Sequence, residues 1–317
     1  MSVWARTQRR IREIDWDPIH WARRTLATLG KSLSRLWGRD VMLYVGGVSF
    51  FIMLAVFPGL SILVGVYSLL SDPGAAAQQA EMLSRLMPAG ARVLFAEELT
   101  RLSHTPLQAI STQSGIAVII GGYAAHRGFK ALLAGLSFIH DEDAPRGFLG
   151  FNVMALLVLI AAFGMLVVLS GIFLYLRFIS AAFDLKPLRG VPWLYSEWTW
   201  ASLGITFAMS LIYRFAMSSK PVAWVASIIG GAGAALLCLF MSWASAIYVE
   251  QIAHLGATYG SVAAVIVFLI WLSWNVNAVF FGGALATEIE LAMESEAIAL
   301  IPDMRGDEAK RVSGSKS

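Results

Sequence analysis

The sequence predicts an all-α polytopic membrane protein, a bundle of six transmembrane helices with amphipathic flanking helices. Its 317 residues are 57% hydrophobic and only 14% charged, whereas a soluble globular domain is about 45–50% apolar and about 25% charged. The apolar residues form six long runs, and charged residues fall at the ends of these runs. Because a charge at the centre of a span costs about 2.5–3.5 kcal/mol, charged residues indicate where each span ends.

Each predicted span is a run of about 20 mostly apolar residues. The first run is uncharged throughout and closes at Asp72 and Pro73, whereas polar residues dilute the first half of the second run. Apolar residues resume after Lys130, which predicts a second helix that projects beyond the bilayer. Residues 41–290 are predicted to form the membrane domain, with spans at about 44–70, 107–125, 151–176, 194–213, 222–249 and 259–287.

Residues 1–40 are predicted to form a basic head that contains an amphipathic helix. Its apolar face repeats at helical spacing and its basic face lies opposite; the residues concerned are Leu26, Leu29, Leu33 and Leu36 against Arg24, Lys31 and Arg35. Two placements fit this pattern. The helix lies on an anionic leaflet, or it packs under the bundle with its basic face in water.

Two further segments lie outside the spans. Between Gln78 and Leu102 an apolar pattern interrupted at Pro88 predicts a pair of short helices that cap the outer face. Residues 291–317 become polar and are predicted to form a disordered cytoplasmic tail, because they bury too little apolar surface to fold alone.

The distribution of Lys and Arg predicts the orientation, since short cytoplasmic loops carry an excess of both. The basic head, the loop after the second span, the turn after the fourth span and the tail all fall on one side, and both termini are therefore predicted to be cytoplasmic. Basic residues beside a span contact anionic lipid more often than nucleic acid. Membrane lipids are the expected partners, and nucleic acid is not.

Four residues are candidates for a transport path. Pro58 makes the first span breakable, because proline removes a backbone hydrogen bond and clashes with the preceding turn; the alternative is a simple kink. Ser273, Asn277 and Glu288 fall along one stripe of the sixth span. Intramembrane polar groups face a cavity or another helix; the alternatives are interhelical hydrogen bonding for Asn277 and contact with headgroup water for Glu288.

Other residues are assigned to packing or to solvent. Gly231 and Ala235 belong to a small-residue face of the fifth span on which another helix can pack closely, and Gly282 has the same role in the sixth. The cluster from His140 to Asp143 combines imidazole and carboxylates, but adjacent residues cannot all converge on one ion. A solvated loop is the expected structure, and no metal, cofactor or catalytic residue is predicted.

Several motifs in order resemble the YihY family of bacterial inner-membrane proteins, also called the virulence factor BrkB family and formerly mislabelled ribonuclease BN. The resemblance covers roughly Gly38 to Glu290. The motifs are Phe57-Pro58, Gly128-Phe129-Lys130-Ala131-Leu132, Arg146-Gly147-Phe148, Trp243 with Tyr248, Tyr259-Gly260-Ser261, Ala264-Val265-Ile266-Val267, Trp271-Leu272, Gly282 and Glu288.

The resemblance implies a six-helix bundle in the bacterial cytoplasmic membrane, with no agreed molecular activity. Family members carry an acidic residue two places after the sixth-span glycine, where this chain has Ala284. The favoured expectation is a transporter or lipid-translocating protein, with a small molecule or lipid as substrate. The alternative is a non-catalytic scaffold or envelope-assembly protein, and a membrane-bound ribonuclease is the least favoured. A homo-oligomer is a further candidate partner.

Overall fold

The computed structural model describes residues 18–37, 40–70, 107–141, 147–182, 197–249 and 262–314, with isolated positions at 92, 94, 96, 97 and 259. Within these residues the chain forms seven α-helices and no β-strand. The helices are α1 Pro18–Trp37, α2 Met42–Leu70, α3 Leu107–Ile139, α4 Phe148–Ala182, α5 Glu197–Phe215, α6 Trp224–Ile247 and α7 Ala263–Gly314.

The helices α2 to α7 cover most of the residues in the six predicted spans, and α1 covers the predicted amphipathic helix. The all-helical fold is therefore confirmed for the described residues. Three apolar segments are long and apolar enough to cross a membrane: Met42–Gly59, Trp224–Ile247 and Ala263–Ser295. Shorter apolar segments occur in α4 and α5, at Phe148–Ala162 and Ser202–Phe215.

Large apolar side chains cover the outside of the bundle. Exposed examples occur on every helix and include Leu43, Ile119, Leu157, Phe207, Leu236 and Leu291. Soluble monomers rarely expose apolar surface on this scale, since a large contiguous patch usually marks an interface or a membrane contact. The bundle therefore has the surface of a protein that is solvated by lipid.

The helices α2 and α3 form a close antiparallel pair along a repeat of glycines in α3. Three glycines of α3, spaced seven residues apart, each face a larger residue of α2: Gly121 faces Pro58, Gly128 faces Phe51, and Gly135 faces Tyr44 as well as Phe280 of α7. A Cβ atom at Gly121 would lie 2.7 Å from Pro58 Cβ. A seven-residue repeat keeps one helix face against its partner along the whole contact.

The helix α7 lies at the centre of the bundle and contacts α1, α2, α3, α5 and α6. Its closest neighbour is α6, because a Cβ atom at Gly282 would lie 2.6 Å from both Ala234 Cβ and Gly230 O. The buried Tyr213 hydroxyl of α5 donates to Val279 O at 2.6 Å. Small residues thus let these three helices approach closely.

Two of the predicted flanking segments have different outcomes. The helix α7 continues to Gly314, within the segment 291–317 for which a disordered tail is predicted; the division of the chain into head, membrane domain and tail stays a prediction. The segment after Glu290 is rich in Ala, Leu, Met and Glu, which have high helix propensity and extend the helix that precedes them. The predicted capping helices between Gln78 and Leu102 lie almost entirely outside the described residues.

Candidate functional site

Pro58 lies inside α2, which is helical on both sides of it from Met42 to Leu70. Its ring packs against Gly121 of α3, where a Cβ atom would lie 2.7 Å from Pro58 Cβ. The described helix is therefore continuous at Pro58, and the proline takes part in helix pairing. A discontinuous helix of the kind that lines transport sites is not present at this position.

The polar residues of the predicted sixth span lie in α7 and are half-buried. Ser273 Oγ donates to Ser49 Oγ of α2 at 3.5 Å, and Asn277 Nδ2 donates to Ser273 O within its own helix at 2.9 Å. The helices α2 and α7 are antiparallel, and Ser49 lies beside Ser273. Pro58 is nine residues further along α2, whereas Asn277 is four residues further along α7 and therefore in the opposite direction. Pro58 and Asn277 are consequently about 20 Å apart along the bundle axis at 1.5 Å per residue.

A second polar group joins α6 to α7, and the sequence did not single it out. Trp271 Nε1 donates to Ser242 Oγ at 3.1 Å, and that hydroxyl lies 3.3 Å from Asn275 Oδ1. Asn275 Nδ2 donates to Trp271 O at 2.8 Å. The group satisfies its own donors and acceptors, as buried polar side chains must, and therefore fixes the two helices together.

Glu288 forms an ion pair at the end of the bundle where α1 lies, which we call the α1 end. Its Oε1 accepts from Arg35 Nε at 2.8 Å and lies 2.7 Å from Arg35 Nη2. The side chains of Arg35 and Glu288 are 14% and 12% exposed. Arg35 Nη1 also donates to Ile139 O at 3.1 Å and to Asp141 Oδ2 at 2.9 Å. One guanidinium thus ties α1 to both α3 and α7.

Neighbouring titratable groups extend this ion pair. His140 Nδ1 lies 3.0 Å from Thr287 Oγ1, and His140 Nε2 lies 3.7 Å from Glu290 Oε2. Glu290 Oε1 accepts from the backbone N–H of Ala223, just before α6, at 3.2 Å. We call this group the ion cluster: Arg35, His140, Asp141, Glu288 and Glu290.

The ion cluster places two residues of the predicted solvated loop in defined contacts. His140 and Asp141 are held by α7 and α1, whereas the next five residues of the loop lie outside the described part of the chain. Among the described residues, no group of three His, Cys, Asp or Glu side chains has the geometry to hold a metal ion. The contacts of the ion cluster therefore hold α1, α3 and α7 together.

A different pair of cations lies in the middle of α3, three residues apart and so on one face of the helix. Arg127 is exposed, and its guanidinium carbon lies 5.8 Å from the ring centroids of both Phe51 and Tyr123. The adjacent His126 has a buried Nδ1 atom that makes no hydrogen bond within the described structure. Arg127 thus lies on an aromatic surface, a favourable cation–π arrangement.

Lys130 completes this site from the next turn of α3. Its Nζ donates to Asn152 Oδ1 at 2.7 Å and lies 5.6 Å from the centroid of the Phe148 ring. Asn152 is held in turn by donation from Nδ2 to Phe148 O at 2.7 Å. We call the whole group the basic patch: Arg127, Lys130, Asn152 and the rings of Phe51, Tyr123 and Phe148.

The height of the basic patch in the bundle follows from the pairing of α2 with α3. Gly128 faces Phe51, since a Cβ atom there would lie 3.3 Å from Phe51 Cβ. Phe51 is nine residues, or about 14 Å, inside α2 from Met42. Arg127, which the sequence places at the end of the second span, therefore lies beside the interior of the first. Ionisable residues at such a depth are functional-site candidates by default.

The three predicted packing residues lie in the contacts between α5, α6 and α7. Gly231 approaches Ser210 and Thr206 of α5, Gly282 approaches α6, and Ala235 is buried. Ala284 is fully buried two residues after Gly282. A carboxylate in that position would lie in the helix interface, where an unpaired charge is costly.

The apolar spans and the exposed apolar surface define a helical membrane protein. The family model for virulence factor BrkB matches residues 32–304. The chain therefore belongs to this family, and the expected resemblance is confirmed. No curated protein and no solved structure matches the chain.

Proposed function

We propose that this protein moves lipid across the membrane and that anionic phospholipid headgroups contact the basic patch during that movement. The observation that carries the proposal is the position of Arg127 and Lys130 on an accessible face of α3, beside the interior of α2. The proposal keeps the expected class, a transporter or lipid-translocating protein, and moves the path from Pro58 and Asn277 to α3.

Arg127 and Lys130 are cations without a counter-ion among the described residues. Neither Arg127 nor Lys130 forms a salt bridge within the described part of the chain, and a charge near the centre of a span costs about 2.5–3.5 kcal/mol. A lipid phosphate would offset this cost, since charge-assisted hydrogen bonds to phosphate are strong. The exposed rings of Tyr123 and Phe148 provide an apolar border for the acyl chains beside such a headgroup.

The test uses the purified full chain in vesicles that contain a small fraction of fluorescent phosphatidylglycerol. Dithionite bleaches only the outer leaflet, so bleaching of the inner pool measures movement between leaflets. We expect the double variant Arg127→Leu/Lys130→Leu to slow this movement about tenfold or more, the factor that about 1.4 kcal/mol represents. Arg127→Lys should retain most of the rate because it keeps the charge.

Lys220→Leu is the matched control, because Lys220 is an exposed cation in the turn after α5 and does not belong to the basic patch. It should leave the rate unchanged. An unchanged rate in the double variant, with elution and thermal stability like the parent protein, would count against the proposal. The same conclusion would follow if Lys220→Leu slowed movement as much as the double variant.

A scaffold or envelope-assembly function is the second candidate. It is favoured by the close packing of α6 on α7 and by the hydrogen bond that Asn277 makes within its own helix, since both features describe a rigid bundle. A parent protein that moves no lipid in the vesicle assay would favour this function. A cross-linking experiment that finds no partner would weaken it.

A further inference from the structure

We propose that α1 is a membrane-surface helix, bound to the anionic headgroups and the upper acyl region of the leaflet at the α1 end. The starting observation is an exposed apolar stripe along α1. Trp37 is 78% exposed and Leu26 is 67% exposed, and Leu29 and Leu33 on the same face are also exposed. An apolar stripe of this kind is how interfacial helices bind a membrane.

The bundle contacts a different side of α1. Ser32 is fully buried, Leu36 packs against the core, and Arg35 reaches the ion cluster. Successive residues of a helix are about 100° apart, so Lys31 and Leu33 lie on opposite sides of Ser32. The helix therefore has three sectors, with the bundle contact between an apolar sector and a basic sector.

The charge of α1 matches an anionic leaflet. The helix contains Arg23, Arg24, Lys31 and Arg35 and no acidic residue. Arg35 is paired with Glu288, whereas Lys31 is exposed. Cations near an anionic membrane surface are attracted to it and favour binding of the helix. This complementarity selects a lipid surface over a second copy of the same basic helix.

The height of α1 places the stripe at the border of the membrane. Arg35 donates to Ile139 O at the last residue of α3, and α3 ends beside the beginning of α2. The first residues of α2, Met42 and Leu43, are exposed apolar side chains. The stripe and the start of the first span thus lie at one level, where headgroups meet acyl chains.

The experiment measures the depth of two labelled positions in the full chain, reconstituted in bilayers with acyl chains brominated near the headgroup. Cys238→Ser removes the single native cysteine, and Leu29→Cys or Ala27→Cys is labelled with bimane. Leu29 lies in the apolar sector, whereas Ala27 is exposed on the opposite side. We expect the brominated lipid to lower bimane fluorescence about twofold or more at Leu29→Cys, and to leave Ala27→Cys unchanged.

Three outcomes would overturn the proposal. The first is equal quenching at the two positions, or none at Leu29→Cys. The second is efficient cross-linking of Leu29→Cys to itself in bilayers, which would assign the stripe to a second copy of the chain. The third is the same quenching in neutral phosphatidylcholine as in phosphatidylglycerol, which would remove the anionic headgroup from the proposal.

Discussion

Arg35 satisfies its guanidinium with acceptors from two other helices. It pairs with Glu288 of α7, and it also donates to Ile139 O and to Asp141 at the end of α3. Because Arg35 and Glu288 are both largely buried, removal of Arg35 leaves Glu288 without its counter-ion, and removal of Glu288 leaves Arg35 with only the exposed Asp141. Such a loss is far more destabilising than the loss of an exposed surface pair.

We predict that Arg35→Gln and Glu288→Gln each lower the free energy of unfolding by about 3 kcal/mol. The double variant should lose less than the sum of the two, by about 1 kcal/mol or more, because the two residues share one interaction. Lys31→Gln, one turn earlier on an exposed site, should change stability by no more than about 0.5 kcal/mol. Unfolding in detergent by a denaturant measures all four variants, and additive losses would contradict the pairing.

At the scale of whole helices, the seven-residue glycine repeat of α3 sets the contact with α2. Each glycine admits a side chain of α2, and the closest approach to Pro58 is at Gly121. A side chain added there must displace proline atoms that are fixed in a helix. At the next residue, Gly122, an added Cβ atom would meet nothing within 4 Å, so this position offers a neighbouring site without the constraint.

We predict opposite effects for alanine at these two neighbouring glycines. Gly121→Ala should destabilise the protein by about 1–3 kcal/mol through overpacking against Pro58, whereas Gly122→Ala should stabilise it by about 0.5–1 kcal/mol through helix propensity. Thermal unfolding of the two variants in the same detergent measures the difference. Equal melting temperatures would show that α2 and α3 do not meet at this register.

Helix positions could be predicted from the sequence, but most of the pairings between helices could not. Charged residues at the ends of apolar runs indicate where a helix leaves lipid, and this rule locates the helices. The sequence alone indicates a break or a kink at Pro58. It does not indicate the contact with Gly121, because Gly121 lies on another helix and the local pattern of α2 contains no sign of it. From the sequence alone Glu288 is expected to contact headgroup water, because its partner Arg35 is 253 residues away along the chain.

Some of the missed contacts did leave a signal in the sequence. The spacing of Gly121, Gly128 and Gly135 is a regular repeat, and small residues at such spacing favour close helix pairing. The basic patch left a weaker signal, since Arg127 and Lys130 mark a boundary when α3 is considered alone. Their depth depends on the register between α2 and α3, which is a property of two helices.

For the whole molecule, α7 connects most of the bundle, and α4 packs against α3 and α5. The ion cluster joins α1, α3 and α7 at one end of the bundle, and Glu290 extends it to the residue before α6.

The number of membrane crossings decides which side of the membrane each chain end occupies. An even number of crossings places both ends on one side, whereas an odd number separates them.

We predict six crossings, by α2 to α7, with both termini in the cytoplasm of a bacterial cell. The excess of Lys and Arg in the head and in the turn after α5, where Lys220 follows Arg214, supports this orientation. Green fluorescent protein fused after Ser317 should then fluoresce, because it folds in the cytoplasm. Alkaline phosphatase, which is active only outside the cytoplasm, should be active when fused after His104 or His254 and inactive when fused after Ser219.

Only three of the helices meet a strict length and composition criterion over the described residues, and three crossings would place the two termini on opposite sides. Activity of alkaline phosphatase fused after Ser317 would therefore exclude the six-crossing arrangement.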